Sequence, residues 1–398
     1  MSQFTFYANK PSENYHKIDM GLLASMLLLW GTGIFTLFVC SQNYAERAFN
    51  GNSFYFVTRQ LVCSAFGFVL FFMFLITDVK IVRRFIGLIV IASLILCLLT
   101  FVPSISIEKN GARRWLRMPG NFTFQPSELI KFALVMFLAN YFDKQSKIEF
   151  EDEKTVLPCV VGFVVLVSVV LLQKDFSTSV FITLIGILVF VVSGSKIKWI
   201  IPFMIIVIPV GILMVSLEKY RLDRIIGFLR PDAVEFSTNI NYQTLMSKRA
   251  ISAGGVWGSG IGAGLVRINS IPEIQADYIF AGWAEAMGFA GVFVYFVLLG
   301  FFAWRGYRTA LLCPDRFASY ASFGCVSIIF LQSLVNCMVV CGMIPSTGIP
   351  LPFFSLGGSS IIVTLAMCGF ILSASRCEES SEKIVKTDEI NIESLTVL

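Results

Sequence analysis

Asp277 closes the segment IPEIQAD (Ile271 to Asp277) and is followed at once by a long apolar run beginning at Tyr278. A carboxylate at the mouth of an apolar run is partly desolvated, which raises its pKa toward that of a working general base. The same place also suits an ordinary helix N-cap, where an acid meets free N–H groups and the positive end of the helix dipole. Glu285 lies eight residues further on, about two helical turns, and so near the same face but deeper. The single histidine, His16, stands in the polar N-terminal stretch, leaving no support for a Ser-His triad, a His-ligated zinc site or a histidine proton relay. Acid-base work in this chain falls to carboxylates.

Those side chains must be positioned by membrane-spanning helices. Hydrophobic residues make up 56% of the 398 and charged residues 14%, with a mean hydropathy of +0.77, which is the composition of an integral membrane protein. Apolar runs long enough to cross a bilayer recur at Asp19–Cys40, Val57–Ile76, Phe85–Val102, Ser127–Phe142, Val156–Leu172, Thr178–Ser193, Ile197–Leu217, Tyr278–Trp304, Phe317–Met343 and Phe353–Ser375. The reading is an all-α integral membrane protein of about ten transmembrane helices, with a cytoplasmic tail at 1–18, a polytopic domain at 19–375 and a second cytoplasmic tail at 376–398. A large extracytoplasmic loop, 218–276, separates spans 7 and 8. The N-terminus is read as mature protein, because its first apolar run is too long for a signal-peptide core. The ten cysteines fall mostly inside spans, where a thiol acts as a small hydrophobe rather than as part of a disulfide framework.

With the N-terminus inside, the short cytoplasmic turns all carry Lys or Arg, as the positive-inside bias expects. Two outer segments are basic as well: Lys109–Arg117, with Arg113 and Arg114, and Lys219–Arg267, with Arg221, Arg224, Lys248 and Arg249. Cations held outside against the bias suit an anionic headgroup or a pyrophosphate, which arginine grips through a fork of donors; balance against lipid phosphate is the other reading. Asn110–Glu128 mixes aromatic residues with arginines, as an amphipathic turn in the interface would, before Pro126 opens a helix at its first turn. Within that helix Glu128 and Lys131, spaced i and i+3, can pair and lower the cost of burying either charge. Tyr242–Ser252 reads as a short amphipathic helix with Lys248 and Arg249 on its wet side. The glycines of GVWGSGIGAG (Gly255–Gly264) lack the GK[ST] of a P-loop and read as tight loop packing against the bundle.

Five segments in order, NGARRW with FQPSELIK (Asn110–Trp115, Phe124–Lys131), LLQKDFST (Leu171–Thr178), Tyr242-Gln243 with Ala253–Gly255, PEIQADYIFA (Pro272–Ala281) and IPSTGIPLPFFSLGGSS (Ile344–Ser360), resemble the SEDS family of shape, elongation, division and sporulation proteins. The resemblance runs over nearly the whole chain. It implies a peptidoglycan glycosyltransferase of the bacterial inner membrane, with both termini cytoplasmic, that polymerises lipid II and releases undecaprenyl pyrophosphate. It also implies Asp277 as the catalytic carboxylate, deprotonating the acceptor 4-hydroxyl, and, as substrate-binding residues, Arg113, Arg114, Glu128, Lys131, Arg221, Arg224, Lys248, Arg249, Glu273, Ser359 and Ser360. The partners implied are a class B penicillin-binding protein and other divisome membrane proteins, with no nucleic acid. No cofactor is required by this reading, and a divalent cation, Mg or Mn, stays open as an aid to the pyrophosphate. Phe54–Leu61 and GARRWLRM resemble division members more than elongation members, whereas STGIPLPFFS resembles the latter.

The sequence departs from the family where Gln275-Ala276 replace His-Thr ahead of the acid, Lys174 and Ser177 replace Pro and Gly, Met246 replaces Gln, and Leu356 replaces Tyr. Losing the histidine removes a partner of the acid and puts its protonation details in question. Two further readings use the same spans. A lipid II flippase or transporter would need the polar cavity for translocation, and a scaffold would need no acid at Asp277.

Overall fold

The computed structural model describes residues 18–109, 111–148, 156–194, 219–229, 242–260 and 271–376. Helix α1 (Met20–Ala48) begins where the Asp19 carboxylate accepts the Leu22 N–H at 2.9 Å. Helices α2 (Tyr55–Ile76), α3 (Val79–Arg84, capped by Asp78) and α4 (Ile86–Leu99) follow. Beyond the small sheet described below come α5 (Pro126–Ser146), with Pro126 in its first turn as expected, α6 (Leu157–Leu172) and α7 (Phe176–Val192). The chain continues through α8 (Lys219–Leu229), α9 (Tyr242–Gly254), α10 (Ile279–Leu312), α11 (Arg316–Val340) and α12 (Gly358–Ala374).

Every expected span except Ile197–Leu217, which lies outside the described residues together with the two tails, falls on one of these helices. By length and composition α1, α2, α10 and α11 can each cross a bilayer, whereas α4, α6, α7 and α12 are shorter apolar helices. The last span is shorter than expected. Residues 353–357 are not helical, because Pro350 and Pro352 keep the backbone extended and Phe353 turns it with φ +67°.

Helix α5 is buried almost all round, its charges Glu128, Lys131 and Asp143 included, and packs on α4, α7, α11 and α12. Helices α2 and α12 lie close together because Gly67 and Gly369 have no Cβ; one at Gly369 would strike the Phe71 carbonyl. Phe66, Phe72, Leu88, Ile91, Phe289 and Phe293 face outward, as lipid contact requires.

The aromatic and basic segment expected to form an interfacial turn is instead a three-stranded antiparallel sheet: β1 (Ser106–Lys109), β2 (Ala112–Arg117) and β3 (Thr123–Phe124), in the order β1-β2-β3. Ser106 faces Leu116, and Leu116 faces Phe124. Gly111, at φ +69°, closes the first turn, so the Asn-Gly hairpin signal outweighs the amphipathic pattern.

Helix α10 is broken at Gly288, where φ is 64° and ψ is −165°. The loop after α9 enters the break. Ser259 N–H donates to the Glu285 carbonyl at 2.9 Å and Gly260 N–H to that of Ala286 at 3.1 Å, while the N–H groups of Phe289 and Ala290 donate back to Gly255 and Val256. The backbone groups released by the kink are thereby satisfied inside the span. Gly258 packs tightly against α10 as expected, whereas Gly255 and Gly260 are exposed and meet it only through backbone hydrogen bonds, and 261–264 lie outside the described residues.

The helix ends sort onto two faces. On one, Asp19 pairs with Arg305 and its N–H reaches the Ser375 hydroxyl, Ser373 donates to the Thr77 carbonyl, and Arg83 and Lys147 share Asp143. The sheet and segments 271–278 and 344–357 form the other.

Candidate active site

At the sheet end a cavity of about 480 Å³ opens between α7, α11 and α8. Its deep wall is apolar, formed by Val180, Phe181 and Leu184 of α7, Val335 of α11 and Ile225 of α8. Its mouth is cationic, with Lys109, Arg114, Lys174 and Arg224 around it. Such a space can take an amphiphile, with the anion at the rim and the chain along the wall.

Each rim cation is placed by a local device. Lys109, the last residue of β1, pairs with Glu273 at 2.7 Å, tying the sheet to the segment that carries Asp277. Glu273 itself has φ +52°, in the left-handed region that non-glycine residues avoid. Arg114 donates to the Lys174 carbonyl at 2.6 Å and lies 3.6 Å from the Asp175 carboxylate, which also accepts from Gln125 at 3.1 Å. Lys174 also lies in the left-handed region, at φ +60°. Arg224 donates to the Ser346 carbonyl at 2.8 Å. Backbone strain gathers where these segments meet the cavity.

Asp277 is half-buried at the edge of this cavity, its Oδ2 3.7 Å from where a Cβ would stand on Gly348. Thr347 and Ile349, on either side of Gly348, line the cavity itself. Its backbone carbonyl accepts from Asn336 Nδ2 at 2.8 Å, and the next residue, Tyr278, shares a hydrogen bond of 3.0 Å with Thr244 of α9. Burial raises the Asp277 pKa above 3.8; Glu273 adds to the rise, and a backbone hydrogen bond, Arg224 and Lys109 oppose it. The desolvation expected from the sequence is present, and the carboxylate stands beside a cationic rim.

The fold brings together Asp277, Glu273, Arg114 and Arg224 from the expected set. It turns Arg113 away, onto Glu108 at 3.1 Å in the same hairpin. Glu128 and Lys131 form the expected pair at 2.8 Å, but at 4% and 2% exposure they are sealed behind Phe181, with Lys131 Nζ 5.7 Å from its ring centroid and 2.6 Å from Gln332 Oε1. Lys248 and Arg249 project from the wet side of α9, with Lys248 against Gly342. Ser359 and Ser360 are buried in the first turn of α12, linked to the Asp277 segment by the Leu356 N–H on the Gln275 carbonyl at 2.8 Å. Glu285 is buried on α10 near Cys40 of α1, and the charges acting on Asp277 are Glu273, Arg224 and Lys109. The Arg221 side chain lies outside the described residues.

Lys109 is read from the sequence only as part of the basic segment 109–117 and Lys174 only as a departure from the family pattern, while sequence reasoning misses Gln332 and Asn336. Two carboxamides four residues apart in an apolar span were the available signal for the last two. Among the described residues no group of three or more His, Cys, Asp or Glu side chains is gathered where it could hold a metal ion.

The model of the FtsW/RodA/SpoVE family, described as cell cycle proteins, matches residues 20–380. The chain is 33% identical over 360 residues to the "Probable peptidoglycan glycosyltransferase FtsW" of Geobacter sulfurreducens, covering 90% of this chain and 95% of that one. To the stage V sporulation protein E of Bacillus subtilis it is 31% identical over 358 residues, covering 90% and 97%. Among solved structures it resembles a chain from work on the structural coordination of polymerization and crosslinking by a peptidoglycan synthase complex, with a TM-score of 0.72 and 26% identity over 90% of this chain and 98% of that one. It also resembles the Thermus thermophilus rod shape determining protein RodA, with a TM-score of 0.65 and 25% identity over 91% and 98%. With the model spanning nearly its whole length and the Asp277 segment set beside a cation-rimmed cavity, this chain belongs to the FtsW/RodA/SpoVE family of cell cycle proteins.

Proposed function

We propose that this chain is a peptidoglycan glycosyltransferase that polymerises lipid II during septal wall synthesis. The observation that carries the reading is the desolvated Asp277 carboxylate beside a cavity with a cationic mouth and an apolar wall. The Asp277 carboxylate takes the proton from the 4-hydroxyl of the acceptor GlcNAc as that oxygen bonds to the anomeric carbon of the donor sugar. The bond from that carbon to the pyrophosphate oxygen breaks, and its electron pair leaves with undecaprenyl pyrophosphate. Lys109, Arg114 and Arg224 stabilise the charge that builds on this leaving group, and the apolar wall receives the first isoprene units of the chain. Relatives named FtsW support septal over elongation synthesis.

The sheet face is read as extracytoplasmic and the face with Asp19 as cytoplasmic, in the bacterial inner membrane. A class B penicillin-binding protein is the proposed partner, docking on the outer face and setting the segment that carries Asp277; divisome membrane proteins complete the assembly.

The test is glycan polymerisation from labelled lipid II by the purified chain with its cognate penicillin-binding protein, wild type against Asp277→Asn. Polymer from the wild type and none from the variant is the expected result. If neither makes polymer while the wild type moves lipid II across vesicles, the flippase reading replaces this one. A variant as active as the wild type would remove Asp277 from the mechanism.

A further inference from the structure

Helix α11 carries two buried carboxamides one turn apart, Gln332 and Asn336, and both donate to the segment that surrounds Asp277. Asn336 Nδ2 sends one hydrogen bond to the Asp277 carbonyl at 2.8 Å and another to the Ile349 carbonyl at 2.9 Å. Gln332 Nε2 donates to the neighbouring Pro350 carbonyl at 2.9 Å. The orientation of each amide follows from chemistry. Asn336 faces two carbonyl oxygens, which only its NH2 can satisfy, and Lys131 Nζ can only donate, so the Gln332 oxygen must face it.

The two carboxamides thus form a continuous set of bonds from α5 through α11 to the acid. Glu128 holds Lys131, Lys131 fixes the Gln332 amide, Gln332 holds Pro350, and Asn336 joins the neighbouring Ile349 carbonyl to that of Asp277. Gly348, which faces the Asp277 carboxylate, precedes Ile349 in the clamped segment. Asp277 precedes α10 and its own segment is irregular, so its neighbours in sequence leave its backbone without a helical ladder. The hydrogen bond on the Asp277 carbonyl itself comes from a helix 59 residues away in sequence.

We infer that Asn336 is a positioning residue for the reaction at Asp277, and that the buried Glu128–Lys131 pair serves the site by orienting Gln332 rather than by meeting substrate. This rests on Asp277 being the base. The charged and titratable groups that face Asp277 are Glu273 from its own segment, Lys109 from β1, Arg224 from α8 and the adjoining Tyr278 hydroxyl. The NH2 of Asn336 adds the positive end of a dipole at the Asp277 backbone, which favours the ionised carboxylate. Removing it should raise the carboxyl pKa, so that less of the acid is ionised at low pH, and loosen its placement at the same time.

The experiment is steady-state polymerisation of lipid II across pH by the complex, comparing wild type, Asn336→Leu, Asn336→Thr and Asp277→Asn, each checked for membrane insertion. Asn336→Leu keeps similar bulk without a donor and should lower kcat roughly tenfold or more with KM changed less than about twofold. It should also move the acid limb of the rate profile upward by about half a unit. Asn336→Thr retains one donor and should fall between the leucine variant and the wild type. If the leucine variant does not insert, the threonine variant carries the same comparison against the wild type. The inference is overturned if the acid limb stays put in the inserted variants, or if the loss lies in KM alone. Activity in Asp277→Asn would instead overturn the functional reading on which it rests.

Discussion

At the scale of single residues, the electrostatics of Asp277 are set by a small group whose members act in opposite directions. Glu273 raises its pKa, and Lys109 and Arg224 lower it, while burial supplies the largest push upward. A base must be ionised, so the rate should fall as pH drops through a value above the ordinary 3.8. Glu273→Gln is expected to move that acid limb down and Lys109→Met to move it up, read from polymerisation rates across pH; shifts of the same sign would contradict this arrangement. The same burial bears on stability. The folded chain holds the Asp277 proton more tightly than the unfolded chain, so stability is lost as pH rises from 3.8 through the raised value, and the full cost is present at neutral pH. Asp277→Asn should therefore melt at the same temperature as the wild type or higher in detergent while losing polymerisation. A clearly lower melting temperature would show that the carboxylate is needed for the fold. The acid and its desolvation were legible in the sequence, because a charge next to an apolar run is a local pattern. Asn336 as its anchor was not, because the hydrogen bond depends on how two distant helices meet.

At the scale of elements, spanning helices were read from the length and apolarity of their runs, and α1, α2, α4 to α7 and α10 to α12 fall on those runs, whereas the polar helices α3 and α8 do not and α9 was read from its amphipathic pattern. The sheet is not read from the sequence although Asn110-Gly111 marks a hairpin, since the arginines and aromatics after the turn suit an interfacial segment as well as a strand. The break in α10 was hidden for a different reason. A lone glycine in an apolar run is common in a spanning helix, and what selects the kink is the loop that enters it, contributed by a separate stretch of chain. Gly258, in that loop, has φ +84°, and a Cβ there would strike the Ala286 carbonyl. Gly258→Ala should cost about 1–3 kcal/mol, since it combines a left-handed backbone with a steric collision. The loss is measured as a lower melting temperature in detergent. An unchanged melting temperature would mean that the loop yields without cost. The Glu128–Lys131 pair shows the reach of i, i+3 reasoning as well: the contact was predictable, but its placement behind Phe181 was not, because the depth of a pair depends on the whole bundle.

For the molecule as a whole, the sequence left the charge bias between faces nearly balanced, and the structure gives a reason. Cations at the sheet end are engaged: Lys109 with Glu273, Arg113 with Glu108, Arg114 with Asp175, and Arg224 with the Ser346 carbonyl. The opposite end carries Arg83, Lys144, Lys147, Arg305 and Arg316 at or near helix termini, with Asp19 and Asp143 as the acids that answer some of them. The positive-inside rule concerns short turns, and those at that end are short enough for it and carry or adjoin Lys and Arg, so it is the face expected in the cytoplasm. This orientation puts Asp277 and the cavity mouth on the side where a glycan strand must grow. Met118 lies exposed beside the sheet and Lys144 lies exposed at the end of α5, so cysteines introduced at these two positions report the two faces. Cys341, the exposed native thiol among the described residues, and Cys377 in the tail are first replaced by serine. In intact spheroplasts an impermeant maleimide should label Met118→Cys at once and Lys144→Cys only after permeabilisation. The reverse pattern would place the cavity in the cytoplasm, where strand polymerisation onto an external wall has no route.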